Sequence, residues 1–387
     1  MNKSILALLI TVLFFSSCRN TVKNQTTSSD STKNKDWTML PFIKVDSANP
    51  VLVPGSNTFF DPMWKKQIAW ENKDVFNPAI VVRNDTVFML YRAEDTIGKY
   101  AGTSRIGLAY STDALHFTKL KAPVFYPEND AYKKYEWEGG CEDPRIVEDS
   151  AGVYYMTYTA YDGSIARLLV ASSKDLLHWT KHGPVFAAAF NGRYNNAWSK
   201  SGSVVSSYKN GKIIATKING KYWMLWGDKY IWAATSDDLI NWQPVETNDH
   251  QPYDSVYSNF NVSHLKIVIP VRHGKFDSDL VESGPPAILT GKGIVFLYNS
   301  RNVPSIGDSS LVEGTYAASQ ALLDKDDPTK LLDRMDTYFI KPEKSYEITG
   351  QVNQVCFIEG LAQFKNKWWL YYGTADSKIA VAVYDEK

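Results

Sequence analysis

From about residue 51 onward, apolar and polar positions alternate in short runs broken by Gly, Asn, Asp and Pro. Period-2 alternation between turn residues predicts strands, and spacing typical of an amphipathic helix is almost absent. Five runs share one form, an aromatic-rich strand closing on a polar or small residue: 88–92, 155–159, 223–228, 295–299 and 369–373. Their last aromatics, Tyr91, Tyr158, Trp226, Tyr298 and Tyr372, follow one another after 67, 68, 72 and 74 residues. Each run follows an apolar strand and a turn, such as 77–82 before Asn84-Asp85. A second repeat, Ser-x-Asp-x-(Leu/Ile)-x-aromatic, begins at Ser111, Ser173 and Ser236. Ser and Asp side chains bond nearby backbone amides, so this motif predicts a tight turn whose Leu/Ile and aromatic positions fold back onto the sheet.

Units of this length holding about four short strands predict an all-β fold, a five-bladed β-propeller. A β-sandwich is the structural alternative, but it gives no reason for a fivefold period. The propeller is placed at 37–387, with its blades from about Val51 and 37–50 as a lead-in or closing strand. One helical turn is expected within 326–335.

The N-terminus reads differently. Lys3, an apolar run over 5–15 and Ser16-Ser17-Cys18 match a bacterial lipoprotein signal peptide at 1–17. The run is about half the roughly 20 residues needed to span a bilayer. Cys18 is then the lipidation site, unless it is an ordinary cysteine after a secretory signal. Residues 18–36, rich in Ser, Thr, Asn and Lys, are expected to be a flexible tether. The expected location is the bacterial cell envelope, in the periplasm or at the outer membrane, with the lipid anchor as the sole membrane contact.

Charge narrows the partners. Lys plus Arg and Asp plus Glu both total 42, which removes any global electrostatic case for nucleic acid or an anionic membrane. A neutral ligand is expected. Aromatic faces stack on sugars but also fill β cores, so the 12 Trp and 23 Tyr leave both uses open. Cys141 and Cys356 read as buried thiols. The six histidines form no ligand pair at helical or ribbon spacing, so neither a metal nor a cofactor is expected.

In a propeller the first strand of each blade lines the central channel, so polar residues opening those strands converge. The candidates are Asn77-Pro78, Glu142-Asp143-Pro144-Arg145, Lys200-Ser201-Gly202, Glu282-Ser283-Gly284-Pro285 and Glu359-Gly360, joined by Arg92, Asp228, Asn299 and Asp376. Cleaving a glycosidic bond with inversion needs one carboxyl to protonate the leaving oxygen and a second, about 6.5 to 9.5 Å away, to activate water. Asp143, Asp228 and Glu282 supply enough carboxylates. The plainer alternatives are Asp143 as a strand-start cap and Glu142 with Arg145 as a buried ion pair.

Several segments together resemble glycoside hydrolase family 130, the β-mannoside phosphorylases and β-mannosidases, over the chain beyond the tether. They are Asn77-Pro-Ala, Tyr91-Arg92-Ala-Glu94, Gly140-Cys-Glu-Asp-Pro-Arg-Ile146, 316–334 with Leu322-Leu-Asp-x-x-Asp-Pro328, Pro342-Glu-x-x-Tyr-Glu347 and Tyr371-Tyr-Gly-Thr-Ala-Asp376. The resemblance implies a five-bladed propeller with Asp143 as general acid. It also implies a mannose subsite contacted by Asn77, Arg92, Lys200 and Asp376, and a mannose-containing oligosaccharide as substrate.

The departures carry the reaction. The phosphorylases resemble Met-Leu-His-Arg where this chain has Met224-Leu-Trp-Gly-Asp228, and Tyr-His-Gly where it has Tyr298-Asn-Ser300. Phosphate, a dianion, needs Arg, Lys or protonated His in a desolvated pocket. Asp228 and Glu282 instead look like the acidic pair that positions water in the hydrolytic branch, known for β-1,2-mannosidic linkages. Phosphate-independent hydrolysis is expected. The alternatives are a mannoside phosphorylase using Arg272, His273 or Arg301, a non-catalytic glycan-binding lipoprotein, and a furanosidase-type hydrolase using Asp61.

Overall fold

The structure is a computed structural model that describes residues 35–100, 102–209, 211–251 and 262–385. The expected signal peptide, Cys18 and nearly all of the expected tether lie outside the described residues. Residues Asp36–Lys387 make one compact unit. Among the described residues there are 25 strands, two one-turn helices, Lys133–Glu136 and Ser345–Ile348, and one 3-10 turn, Ala189–Gly192. The all-β expectation holds.

The strands pair antiparallel in successive groups. Asp74–Arg83, Thr86–Glu94, Ser104–Ser111 and Thr118–Lys119 form the first. Gly140–Glu148, Tyr154–Tyr161, Ala166–Ser173 and Thr180–Pro184 repeat it. Ser203–Lys209, Tyr222–Trp226, Ile231–Ser236 and Trp242–Pro244 follow. Next come Leu280–Ser283 and Ala287–Thr290, a first strand broken at Gly284-Pro285-Pro286, with Gly293–Arg301, Tyr316–Leu323 and Leu331–Arg334. The last group is Cys356–Phe364, Lys367–Thr374 and Lys378–Tyr384, completed by Ile43–Lys44 from the start of the chain. Residues 37–50 therefore do supply a closing strand. First strands touch from the first group through the fourth, the fourth group meets Cys356–Phe364 through Gly293–Arg301 and Tyr316–Leu323, and Cys356–Phe364 lies against Asp74–Arg83.

Alternation along the second strand of each group sends the repeated aromatic inward and its neighbour the other way. Four of the five aromatics anchor the same device. Tyr91 donates its hydroxyl to Glu71, Tyr158 to Glu136, Tyr298 to Asp277 and Tyr372 to Glu347, at 2.8–3.0 Å. A cation completes each pair: Lys119, Lys181, Arg334 and Lys44 lie 2.6–2.8 Å from those carboxylates. A buried carboxylate is tolerated when it is both paired and hydrogen-bonded, and the repeated tyrosine supplies one of the bonds. The third group differs. Trp226 is fully buried there, packed on Phe186 and Trp232 with ring centroids 4.6 and 4.9 Å away. This aromatic series is core, not a sugar-stacking surface.

The Ser-x-Asp repeats are turns, as expected. Asp113 Oδ1 accepts the amides of Leu115 and His116, and Asp175 and Asp238 act alike. The expected Leu/Ile position packs partly against the core at Leu115 and Ile240, while Leu177 is 45% exposed; the residue before it packs more deeply, with Ala114, Leu176 and Leu239 buried. The predicted helical turn within 326–335 is also absent. Asp324 Oδ1 takes the amides of Asp326 and Asp327 to form a turn, and Leu331–Arg334 is then drawn into the sheet beside Tyr316–Leu323. Cys141 and Cys356 are free, buried thiols.

Candidate active site

Three first strands break register at the same kind of place. The shifts fall between Phe76 and Pro78, between Glu142 and Arg145, and between Ile358 and Gly360. They release Asn77, Asp143 with Pro144, and Glu359 from the ladder, and a bulge re-aims the side chain it frees. Asn77, Asp143, Ser201 and Asp376 have φ of 48°, 47°, 58° and 49°. Such left-handed backbone costs roughly 1–3 kcal/mol per residue and persists only where the surroundings enforce it. Gly227, at φ 120°, turns the chain into Asp228, and a Cβ there would lie 2.2 Å from the Tyr230 carbonyl oxygen.

Asp143 Oδ1 accepts from Asn77 Nδ2 at 2.8 Å and from Arg92 Nη1 at 3.0 Å. Lys200 Nζ lies 3.5 Å from its Oδ2. Burial pushes this carboxyl up, but Arg92, Lys200 and the Asn77 bond outweigh it and hold Asp143 well below the usual range. The same guanidinium reaches Glu94 at 2.7 Å and Glu142 at 3.2 Å and lies over the Phe76 ring. Burial, only partly relieved by Arg92 and reinforced by repulsion from Asp143, pushes Glu142 up to about 7. Burial also raises Asp376 to about 7, against the pull of Arg92. Asn77, Arg92, Asp143, Lys200 and Asp376 thus come together, although Asp143 is an ionised carboxylate in the ligand-free protein and a general acid must carry a proton.

The second acidic pair joins the first through Lys200, which Asp143, Glu282, Glu142 and Asp228 together pull upward despite its burial. Asp228 Oδ2 accepts the Trp198 indole N–H at 2.7 Å, and Ser201 Oγ donates to Glu282. Burial is the main cause raising both carboxyls, Glu282 to about 7, with Lys200 acting against it and Asp228 repelling Glu282. Glu359 is fully buried and its carboxyl makes no hydrogen bond, so burial pushes it well above the ordinary range against the pull of Arg145 3.5 Å away.

Glu142 and Arg145 do not pair. Arg145 donates to the carbonyls of Ser283 and Gly284 at 2.6 and 3.0 Å, tying two first strands together, while Glu142 turns to Arg92. Asn299 bonds both ways with the backbone of Ile358 and is structural. Asp61 is buried, paired to Arg105 at 2.7 Å and capping the amides of Met63 and Trp64, so the furanosidase reading loses its carboxylate. The nearby cations are committed too. Arg272 is held by Asp277 and Arg301 by Asp279, which also lies 3.5 Å from Lys229.

Trp198 and Glu94 were not anticipated as site residues, and neither opens a strand. Glu94 was visible in the Tyr91-Arg92-Ala-Glu94 segment. Trp198 had no local signal, because Arg167 and Ser199 set its loop from the preceding group. Among the described residues no cluster of His, Cys, Asp and Glu could hold a metal ion.

Buried carboxylates interleaved with Arg, Lys and Asn at converging strand starts are the equipment of a carbohydrate-active enzyme, offering hydrogen bonds to hydroxyl groups and protons to move. The chain belongs to glycoside hydrolase family 130: the family model described as beta-1,4-mannooligosaccharide phosphorylase matches residues 44–387. A 1,2-beta-oligomannan phosphorylase from a Thermoanaerobacter species is 31% identical over 351 residues, 88% of this chain and 96% of that protein. A putative glycosidase structure from Bacteroides thetaiotaomicron is 47% identical with a TM-score of 0.86, covering 91% of this chain and 98% of that one. Another structure, 46% identical with a TM-score of 0.85 over 91% and 95% of the two chains, comes from work on GH130 glycoside hydrolases that target beta-1,2 mannosidic linkages in Candida mannan.

Proposed function

We propose that this protein is an inverting hydrolase of β-1,2-mannosidic linkages, with its strand groups arranged as the blades of a five-bladed propeller. Asp143 is the general acid, Asp228 and Glu282 activate water, and Asn77, Arg92, Lys200 and Asp376 hold the mannose. One observation carries the choice of hydrolysis over phosphorolysis: Asp228 and Glu282 both face Lys200, Lys229 lies against Asp279, and Arg92, Arg145, Arg272 and Arg301 already serve carboxylates or carbonyls. A phosphate dianion would meet acidic groups with no basic cluster to receive it. The 46% identical structure from the work on β-1,2-mannosidases points the same way. The 31% identical oligomannan phosphorylase supports phosphorolysis as the second reading.

Glu142 resolves the acid's proton. Asp143 and Glu142 share Arg92 and titrate as a pair, so the proton that Glu142 holds near neutrality is the one Asp143 passes to the leaving oxygen once a sugar displaces part of its cation shell. Incubation with manno-oligosaccharides of defined linkage, followed by anomeric NMR, tests the reading. The β-1,2 series should release α-mannose first, and retention or cleavage of another linkage alone would overturn it.

The envelope placement belongs to the same proposal, resting on the sequence around Cys18. Cys18→Ser should move the protein from the membrane fraction to the soluble one. An unchanged distribution would remove the lipid anchor from the account.

A further inference from the structure

Four consecutive residues, 198–201, reach three carboxylates at once. Trp198 Nε1 donates to Asp228 Oδ2 at 2.7 Å, Lys200 Nζ lies 3.5 Å from Asp143 Oδ2, and Ser201 Oγ donates to Glu282. The strip is fixed from both sides. Ser199 Oγ accepts the Leu168 amide at 3.0 Å, the Ser199 amide donates to Ala166, and the Lys200 carbonyl accepts the Gly227 amide at 3.0 Å. Arg167 holds Asn195 and Asn196 just before it, at 3.2 and 3.1 Å. The direction of the indole N–H is therefore set by the fold.

Asp228 and Glu282 repel each other with Lys200 as their common cation. Two buried carboxylates sharing one cation do not both ionise near neutrality, so one keeps a proton. The donors facing them differ in kind. An indole N–H only donates, and it binds a carboxylate oxygen more strongly than the carbonyl oxygen of a protonated carboxyl, so it favours the ionised form. A serine hydroxyl donates or accepts, so Ser201 serves Glu282 whether that group is ionised or protonated. Lys229 also faces Asp228, whereas Arg145 is the further cation near Glu282 and is occupied by the carbonyls of Ser283 and Gly284.

We propose that Trp198 is a positioning residue that makes Asp228 the ionised member of the pair, and so the base for the attacking water, while Glu282 keeps its proton. This rests on the hydrolytic reading above. In the step, a water O–H proton passes to the Asp228 carboxylate and the water oxygen bonds to the anomeric carbon. The glycosidic C–O bond breaks, and its oxygen takes the proton delivered through Asp143. The charge on Asp228 is neutralised as one appears on the Glu142–Asp143 pair, so the site's net charge is unchanged.

The test compares wild type, Trp198→Phe, Glu282→Gln and Asp228→Asn on β-1,2-mannobiose without phosphate across the pH range. Trp198→Phe keeps the ring and loses the N–H. Its kcat should fall about tenfold, with the acidic limb of the kcat profile moving up by about one pH unit and KM within about twofold of wild type. A purely structural role would lower the fraction of active enzyme and leave that limb in place. Independently of whether Trp198→Phe folds, Glu282→Gln should lose about tenfold and Asp228→Asn about a thousandfold in kcat. An unmoved limb, or the reverse order for the two carboxyl variants, overturns the inference while leaving hydrolysis standing. Cleavage by the wild type only when phosphate is present removes the hydrolytic reading and this inference together.

Discussion

Arg92 Nη1 lies 3.0 Å from Asp143 Oδ1, and the other terminal nitrogen of the same guanidinium lies 3.2 Å from Glu142. Burial pushes both adjacent carboxyls up and one cation relieves both; with Lys200 and Asn77 also on Asp143, that carboxyl is held low while Glu142 stays at about 7. Arg92→Met should raise both carboxyls and lower kcat at neutral pH by about a hundredfold or more, because the mannose subsite and the proton-sharing pair lose the same group. Steady-state kinetics across pH check this, and a variant with wild-type kcat would contradict it.

Asp143→Asn separates catalysis from binding. Turnover should fall by about 10²–10⁴-fold, while calorimetry finds mannobiose affinity within about tenfold of wild type. A glycan-binding protein without activity would show the binding and no turnover in either form.

The raised carboxyls bear on stability. Glu142 and Glu282 shift from 4.5 to about 7 in the folded chain, and Asp376 from 3.8 to about 7. Between those values the folded state holds protons that the unfolded chain has released, so stability falls as pH rises toward about 7 and levels off above it. Thermal midpoints should decline across that window. Glu282→Gln, which cannot ionise, should flatten the decline, and an unchanged slope would count against the assignment.

The repeated tyrosines give a prediction away from the site. Tyr158→Phe removes the hydroxyl that donates to buried Glu136 at 2.8 Å while Lys181 stays in place. Denaturant unfolding should show a loss of about 1–2 kcal/mol with activity retained. Trp226→Tyr tests the converse. It adds a hydroxyl where no buried carboxylate waits, so it should destabilise rather than restore the pattern.

The strands, their turns and the closing role of 37–50 were legible because period-2 alternation and Ser-x-Asp turns are local signals. The same locality explains the errors. Leu331–Arg334 lacks a strand pattern of its own and becomes a strand by pairing with Tyr316–Leu323. Arg145 seemed a partner for Glu142, three residues away in sequence, yet the bulge between them turns it to carbonyls some 140 residues further along the chain. The strand-start and strand-end candidates Asn77, Arg92, Asp143, Lys200, Asp228, Glu282 and Asp376 were readable from position and family resemblance. Trp198 was not, because a long-range anchor through Arg167 and Ser199 decides where its indole points.

The most direct measurement of the central claim is product analysis of the purified protein on β-1,2-mannobiose with and without inorganic phosphate. The account predicts free mannose at the same rate in both and no mannose 1-phosphate. Mannose 1-phosphate formed only when phosphate is added would contradict it.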